Sequence, residues 1–211
     1  MNLETLIARC IVLTVLMGLT ACPNNHDSMD RALAAVDRAN EFISEHRYEQ
    51  AIAALTDAAE INKYCILAHY LLGWIRATCP APQYRDGEMA LQHARAAIAA
   101  DLYFDQFDDT DKRTRWALHA CVAAAYAELG QFDKAIEAQE NALLLVEYVP
   151  VEDRGIEVRQ IVELRVRAAL ELYRAGKPLR TYKTYLSKLS DDWANAVLEA
   201  TDKEQIPELA N

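Results

Sequence analysis

Residues 123–143 read AAAYAELGQFDKAIEAQENAL, and their spacing decides the fold. Tyr126-x5-Phe132-x2-Ala135-x6-Ala142 repeats, in residue type and spacing, the earlier stretch Phe42-x5-Tyr48-x2-Ala51-x6-Ala58. A middle unit bridges the two, with Leu72-Gly73 in its first half and Ala90, Ala94 and Ala97 in its second. The period is roughly 34 residues, with an insertion on either side of the middle unit. Small residues (Ala39, Gly73, Ala123; Ala51, Ala90, Ala135) allow helix backbones to approach. Large ones (Phe42, Tyr48, Tyr126, Phe132) fill the space between units. Glycine and proline are scarce, at six each in 211 residues, which favours a chain that is mostly helical.

At these residues the chain resembles the tetratricopeptide repeat, a pair of antiparallel helices with W-x2-L-G-x2-Y in the first and A-x3-F in the second. The departures are specific. His69 and His119 stand where the first tryptophan would be, Arg76 replaces the tyrosine, and Leu55 and Gln139 replace the aromatic of the second helix. A tighter similarity spans residues 65–180. It links Ala77-Thr78-Cys79-Pro80, Tyr84-Arg85-Asp86-Gly87, AAAYAELGQFDKA and Leu172-Tyr173-Arg174-Ala175-Gly176-Lys177-Pro178-Leu179-Arg180. It is similar to a variant in bacterial repeat proteins that carries no assigned chemistry. The resemblance implies an all-α fold: a right-handed superhelical stack of about three helix pairs, closed by a C-terminal capping helix.

The pattern predicts helices near 28–46, 48–61, 64–79, 86–100, 113–129, 132–147 and 156–175, with a further helix near 190–201. Pro80 and Pro82 end the third. Asp86 is the expected N-cap of the fourth, with Arg85 held against a carboxylate or a helix end. Gly176 and Pro178 stop the seventh, IVELRVRAALELYRAG, whose outward arginines suit a cap.

The N-terminus opens MNLETLIARCIVLTVLMGLTAC. Arg9 precedes an apolar run from Cys10 to Leu19, which is shorter than the roughly 20 residues of a spanning helix and reads as a secretory signal. Glu4 offsets Arg9. Leu19-Thr20-Ala21-Cys22 resembles the lipobox of bacterial lipoproteins, which implies acylation at Cys22. The expected organisation is a signal peptide over 1–21, a lipidated cysteine and tether over 22–28, a helical domain over 29–180 and a helical tail over 181–211. By the same resemblance, Pro23 in place of an aspartate favours the outer membrane of the bacterial envelope over the inner. About 190 residues remain after cleavage, enough for one domain with a core. A net charge of −10 argues against nucleic acid, whose binding rests on Lys and Arg.

In tetratricopeptide domains the first helices line a concave groove. That face corresponds here to Leu33, Val36, Asn40 and Ser44, then Leu67, Tyr70, Trp74 and Thr78, then Ala117, Ala120, Ala124 and Glu128. Tyr70 and Trp74 are expected as exposed anchors for an apolar helix or an extended peptide. The competing expectation is that the chain's own N- or C-terminal segment fills the groove. Lys and Arg are absent from this face.

The other candidates read structurally. Cys65, Cys79 and Cys121 are expected as buried free thiols, with a Cys79–Cys121 bridge as the alternative. Cys65 and His69 have metal-ligand spacing and invite His119 and Cys121 as partners. His119 and Cys121 point to different helix faces, so packing is the preferred reading and no metal is expected. Residues 101–111, with five aspartates, lack the glycine turn and closing glutamate of a calcium loop. They read as a solvated acidic loop whose aromatics fold back on the domain. Nothing resembles a phosphate loop or a catalytic triad. The sequence therefore points to a non-enzymatic, cofactor-free, lipid-anchored adaptor that holds a protein or peptide partner. The alternative is an accessory domain for cell-wall polymer or a small ligand.

Overall fold

The computed structural model describes residues 25–105, 114–149 and 156–180. The described residues are all-helical: α1 Asn25–Ser44, α2 Tyr48–Ile61, α3 Ile66–Thr78, α4 Gly87–Asp105, α5 Arg115–Glu128, α6 Phe132–Leu145 and α7 Ile156–Arg174. Short 3-10 turns follow α3, at Pro82–Tyr84, and α6, at Val146–Tyr148. The expected signal peptide, Cys22 and tether, residues 106–111 of the acidic loop and the tail 181–211 lie outside the described residues.

The helices pack as hairpins, α1 on α2, α3 on α4 and α5 on α6, with α7 against α6. The first helices adjoin one another, α1 beside α3 and α3 beside α5. Each second helix also touches the first helix of the following pair. Alanine makes this possible. Ala39, Ala51, Ala90, Ala123 and Ala135 are all fully buried at helix contacts. The tightest approach is at Gly73 on α3. A Cβ there would lie 2.9 Å from Cys121 Sγ on α5, 3.1 Å from the Ala90 carbonyl oxygen and 3.2 Å from the Ala94 nitrogen on α4.

Three helices end alike. His46, Gly130 and Gly176 follow α1, α5 and α7 with φ near +60° to +70°. In each case the next amide donates to a carbonyl five residues back: Arg47 to Phe42, Gln131 to Tyr126 and Lys177 to Leu172. This is the left-handed stop that glycine adopts without a Cβ penalty. Asp86 caps α4 as expected, its Oδ1 accepting from the Met89 amide at 3.0 Å. Gln139, expected from sequence where the resemblance calls for an aromatic, is fully buried and donates to the Val166 carbonyl of α7 at 2.9 Å. It trades ring packing for a bond that ties the cap to the last pair.

One boundary is corrected. The fourth helix was expected to stop near residue 100, but α4 runs to Asp105. Asp101 is buried and paired with Arg115 at 2.8 Å, rather than sitting in a solvated loop. The last turn carries Tyr103, stacked on Tyr64 with ring centroids 4.4 Å apart, and Phe104 at the edge of the same ring. The aromatics therefore do fold back on the domain, as the final turn of a helix.

Gly73→Ala should lower stability by about 1–3 kcal/mol, because the added methyl overpacks the α4 backbone and the Cys121 sulfur. Gly130→Ala, where nothing lies within 4 Å of the added methyl, should lower it by about 1 kcal/mol through backbone strain alone. Urea denaturation of both would test this. A Gly73→Ala chain as stable as the parent would show that the α3–α4–α5 contact is looser than described.

Candidate functional site

The turn after α3 gathers residues that lie far apart in sequence. Pro80 and Pro82 end α3 and leave its last carbonyls without helical partners. These carbonyls form the partly negative end of the helix. Two guanidinium groups satisfy them. Arg85 Nη1 donates to the Cys79 carbonyl at 3.0 Å and the Pro80 carbonyl at 3.3 Å. Arg180 Nη1 donates to the Ala77 carbonyl at 3.3 Å. Glu128, on the last turn of α5, joins both arginines, with Oε1 3.2 Å from Arg85 Nε and Oε2 2.6 Å from Arg180 Nη2. Arg85 and Glu128 are largely buried, so screening by solvent is weak.

Gly87 lets this turn sit against α5, since a Cβ there would come within 2.7 Å of the Leu129 side chain. The Asp86 amide donates back to the Arg76 carbonyl at 2.9 Å, and Arg76 Nη1 donates to the Tyr84 carbonyl at 3.2 Å. The separated pieces ATCP, YRDG, AAAYAELG and ELYRAGKPLR thus meet at one point. Arg85 rests against both a carboxylate and a helix end, as expected from sequence.

The groove residues divide. Leu33 and Leu67 are exposed, and so are Asn40 and Ser44. Val36, Tyr70, Trp74, Thr78, Ala117, Ala120 and Ala124 are buried, and Glu128 is held between the arginines. The expectation that Tyr70 and Trp74 are exposed anchors is corrected. Their rings stack on each other at 6.2 Å, with 0% and 1% of their surface accessible. The expected absence of cations from the face also needs correction, because Arg180 arrives from the segment after α7. Leu179 beside it is buried. Arg180 thus meets α3 at Ala77 and α5 at Glu128, and the tail 181–211 that follows it lies outside the described residues.

Cys65, Cys79 and Cys121 are buried free thiols. Burial raises the pKa of each, most of all at Cys121. His69 does not face His119. Its Nδ1 lies 3.2 Å from His93 Nδ1 on α4, and its Nε2 lies 3.1 Å from the Lys63 carbonyl oxygen. His93 was not singled out from sequence. The Cys-x3-His spacing drew attention along α3, whereas the histidine's partner is set by the register of the α3–α4 hairpin. No cluster of three or more His, Cys, Asp or Glu that could hold a metal ion occurs among the described residues. No described helix is long and apolar enough to cross a membrane.

Burial, the facing His69 and nearby Arg76 lower the His93 pKa from 6.5 to about 4. Burial also lowers His69 and His119, with Asp101 opposing the effect at His119. The fold therefore favours neutral rings. This contribution is whole above pH 6.5 and is lost as pH falls from 6.5 towards 4, where the unfolded chain binds protons that the folded one refuses.

No protein-family model matches the chain, and no curated protein or solved structure matches it.

Two measurements test this site. The melting temperature should fall between pH 7 and pH 4.5, and His93→Gln should flatten that dependence; an identical slope in the variant would remove His93 as its source. Glu128→Ala should cost about 2–3 kcal/mol by leaving two partly buried arginines without a carboxylate. Glu140→Ala, which removes an exposed pair with Arg174, should cost under about 1 kcal/mol. Equal costs would deny the buried cluster its special weight.

Proposed function

We propose that this chain is a non-enzymatic adaptor of the bacterial envelope. It is anchored by lipid on Cys22, on the outer membrane in preference to the inner, and it holds a protein or peptide on the face lined by α1, α3 and α5. The helix pairs, in this reading, form a tetratricopeptide-like right-handed superhelix. The observation that carries the reading is the engagement of Leu179 and Arg180 at the far end of that face. A surface that already buries Leu179 and binds Arg180 of its own chain through a carbonyl and a carboxylate offers contacts of the kind that peptide recognition uses.

Leu33 and Leu67 supply exposed apolar contact on the neighbouring helices α1 and α3. The lipid reading is supported by the Leu19-Thr20-Ala21-Cys22 sequence alone. Two or more acyl chains would hold the protein stably, each buried CH₂ contributing about 0.8 kcal/mol.

Affinity capture of the full-length protein from detergent-solubilised envelopes, with mass spectrometry of the bait's N-terminus, tests both parts. The bait should begin at an acylated Cys22. The Leu33→Asp, Leu67→Asp double variant should retain the parent's melting temperature and lose at least tenfold of the captured partner. An unmodified Met1 start would end the lipoprotein reading, and equal capture by the folded double variant would end the groove reading.

A further inference from the structure

Antiparallel hairpins give the helices two edges, and one of them gathers the starts of α1, α3, α5 and α7 with the ends of α2, α4 and α6. Contacts run along it. Asn62, after α2, donates from Nδ2 to Ser28 Oγ of α1 at 3.2 Å and accepts at Oδ1 from the Tyr64 amide at 2.9 Å. Tyr64 stacks on Tyr103 of α4, and Asp101 of α4 pairs with Arg115 of α5. Arg159 of α7 donates from Nε to the Val149 carbonyl, beyond the end of α6, at 2.9 Å. The exposed apolar side chains collect at this edge. Among the described residues, the most exposed large hydrophobics are Leu144 at 70%, Leu102 at 59% and Tyr148 at 48%, and all three lie there. Leu67, in the first turn of α3, adds to them. The opposite edge shows only Met89, while Leu33 and Leu164 lie in mid-helix. Tyr64, Tyr103 and Phe104 are half-buried next to Leu102, with Lys63 Nζ 4.9 Å over the Tyr64 ring. Aromatic rings beside a lysine stem suit the boundary between water and acyl chains.

We infer that this edge rests on a lipid bilayer, with Leu102, Leu144 and Tyr148 set into the boundary between headgroups and acyl chains. The inference rests on the lipid-anchor reading and adds an orientation to it. α1 starts at this edge, at Asn25. Cys22 precedes Asn25 by three residues, so chain length alone holds its Cα within roughly 11 Å of that start. A bilayer holding a lipid on Cys22 therefore meets this edge before the other. Charge selects the kind of surface. In the turns that form the edge, Asp27, Glu60 and Glu147 offset Lys63 and Arg159, so its described residues make no basic patch for anionic headgroups. Adhesion comes from apolar burial and suits a zwitterionic surface. With helix ends on the membrane, the face lined by α1, α3 and α5 stands to the side, where a partner can reach it.

The test uses the full-length protein in phosphatidylcholine vesicles, spin-labelled in turn at Leu102→Cys, Leu144→Cys and, on the opposite edge, Glu49→Cys. All three side chains are exposed, so the variants should keep the parent's melting temperature. The parent, treated in parallel, reports any labelling of its own cysteines. Labels at positions 102 and 144 should show a ratio of oxygen to nickel-chelate accessibility roughly fivefold or more above the label at 49, as apolar insertion into the boundary requires. Adding phosphatidylglycerol should leave that ratio unchanged. Equal ratios at the three positions, on a protein acylated at Cys22, overturn the inference. Labels at 102 and 144 shielded from both reagents also overturn it, by making a second copy the occupant. A high ratio seen only with phosphatidylglycerol does the same, by making charge the attraction. Mass spectrometry of the same sample separates the two readings. An unmodified N-terminus ends the lipid anchor and this inference with it, whereas water-exposed labels on an acylated protein end the orientation alone.

Discussion

Everything in this molecule is arranged around the absence of one carbon atom. Gly73 sits where α3 crosses both α4 and α5, and there is no room for a Cβ among a sulfur, a carbonyl oxygen and an amide nitrogen. That contact fixes α3 as the element touched by four others, α1, α2, α4 and α5. With alanine at the remaining crossings, the interior is built from backbone proximity more than from large side chains. Dispersion between closely spaced backbones takes the place of bulky apolar fill. The largest fully buried side chains are Trp74, Tyr70 and Tyr173.

Much of this was legible from the chain. Helix positions followed from small and large residues at fixed spacing, and most boundaries fall within two or three residues of the pattern. Asp86, Gly176 and Pro80 signal their roles locally, because capping and termination depend on a few neighbouring backbone groups. The misses have a different character. Asp101 reads as loop because five aspartates between residues 101 and 111 look solvated, yet Arg115 on the next helix holds it in the interior. Tyr70 and Trp74 read as exposed because helical period assigns a side chain to a face. Period cannot say which other elements will pack against that face.

His93 and the arginine cluster make the same point about polar groups. His69 and His93 meet through the register of a hairpin, and Arg85, Glu128 and Arg180 meet through the return of a segment beyond the last helix. Each is an interaction between residues unremarkable in their own neighbourhoods. The scattered motifs did contain the information, since ATCP, YRDG, the glutamate of AAAYAELG and the final arginine of ELYRAGKPLR are the groups that converge. What the one-dimensional pattern lacked was a reason for them to occur together, and shared satisfaction of the α3 carbonyls supplies it.

The three thiols follow from the same close packing. Cys121 is sealed between α5 and the α3 backbone, and Cys65 and Cys79 are closed off at the two ends of α3. A thiol must ionise to attack a disulfide, and burial opposes that at all three. Once packed, an odd complement of cysteines is harmless even in oxidising surroundings. The hazardous interval is earlier, while the chain is still threading and α3 has not met α5. Closure of that one crossing is what withdraws the Cys121 sulfur from exchange.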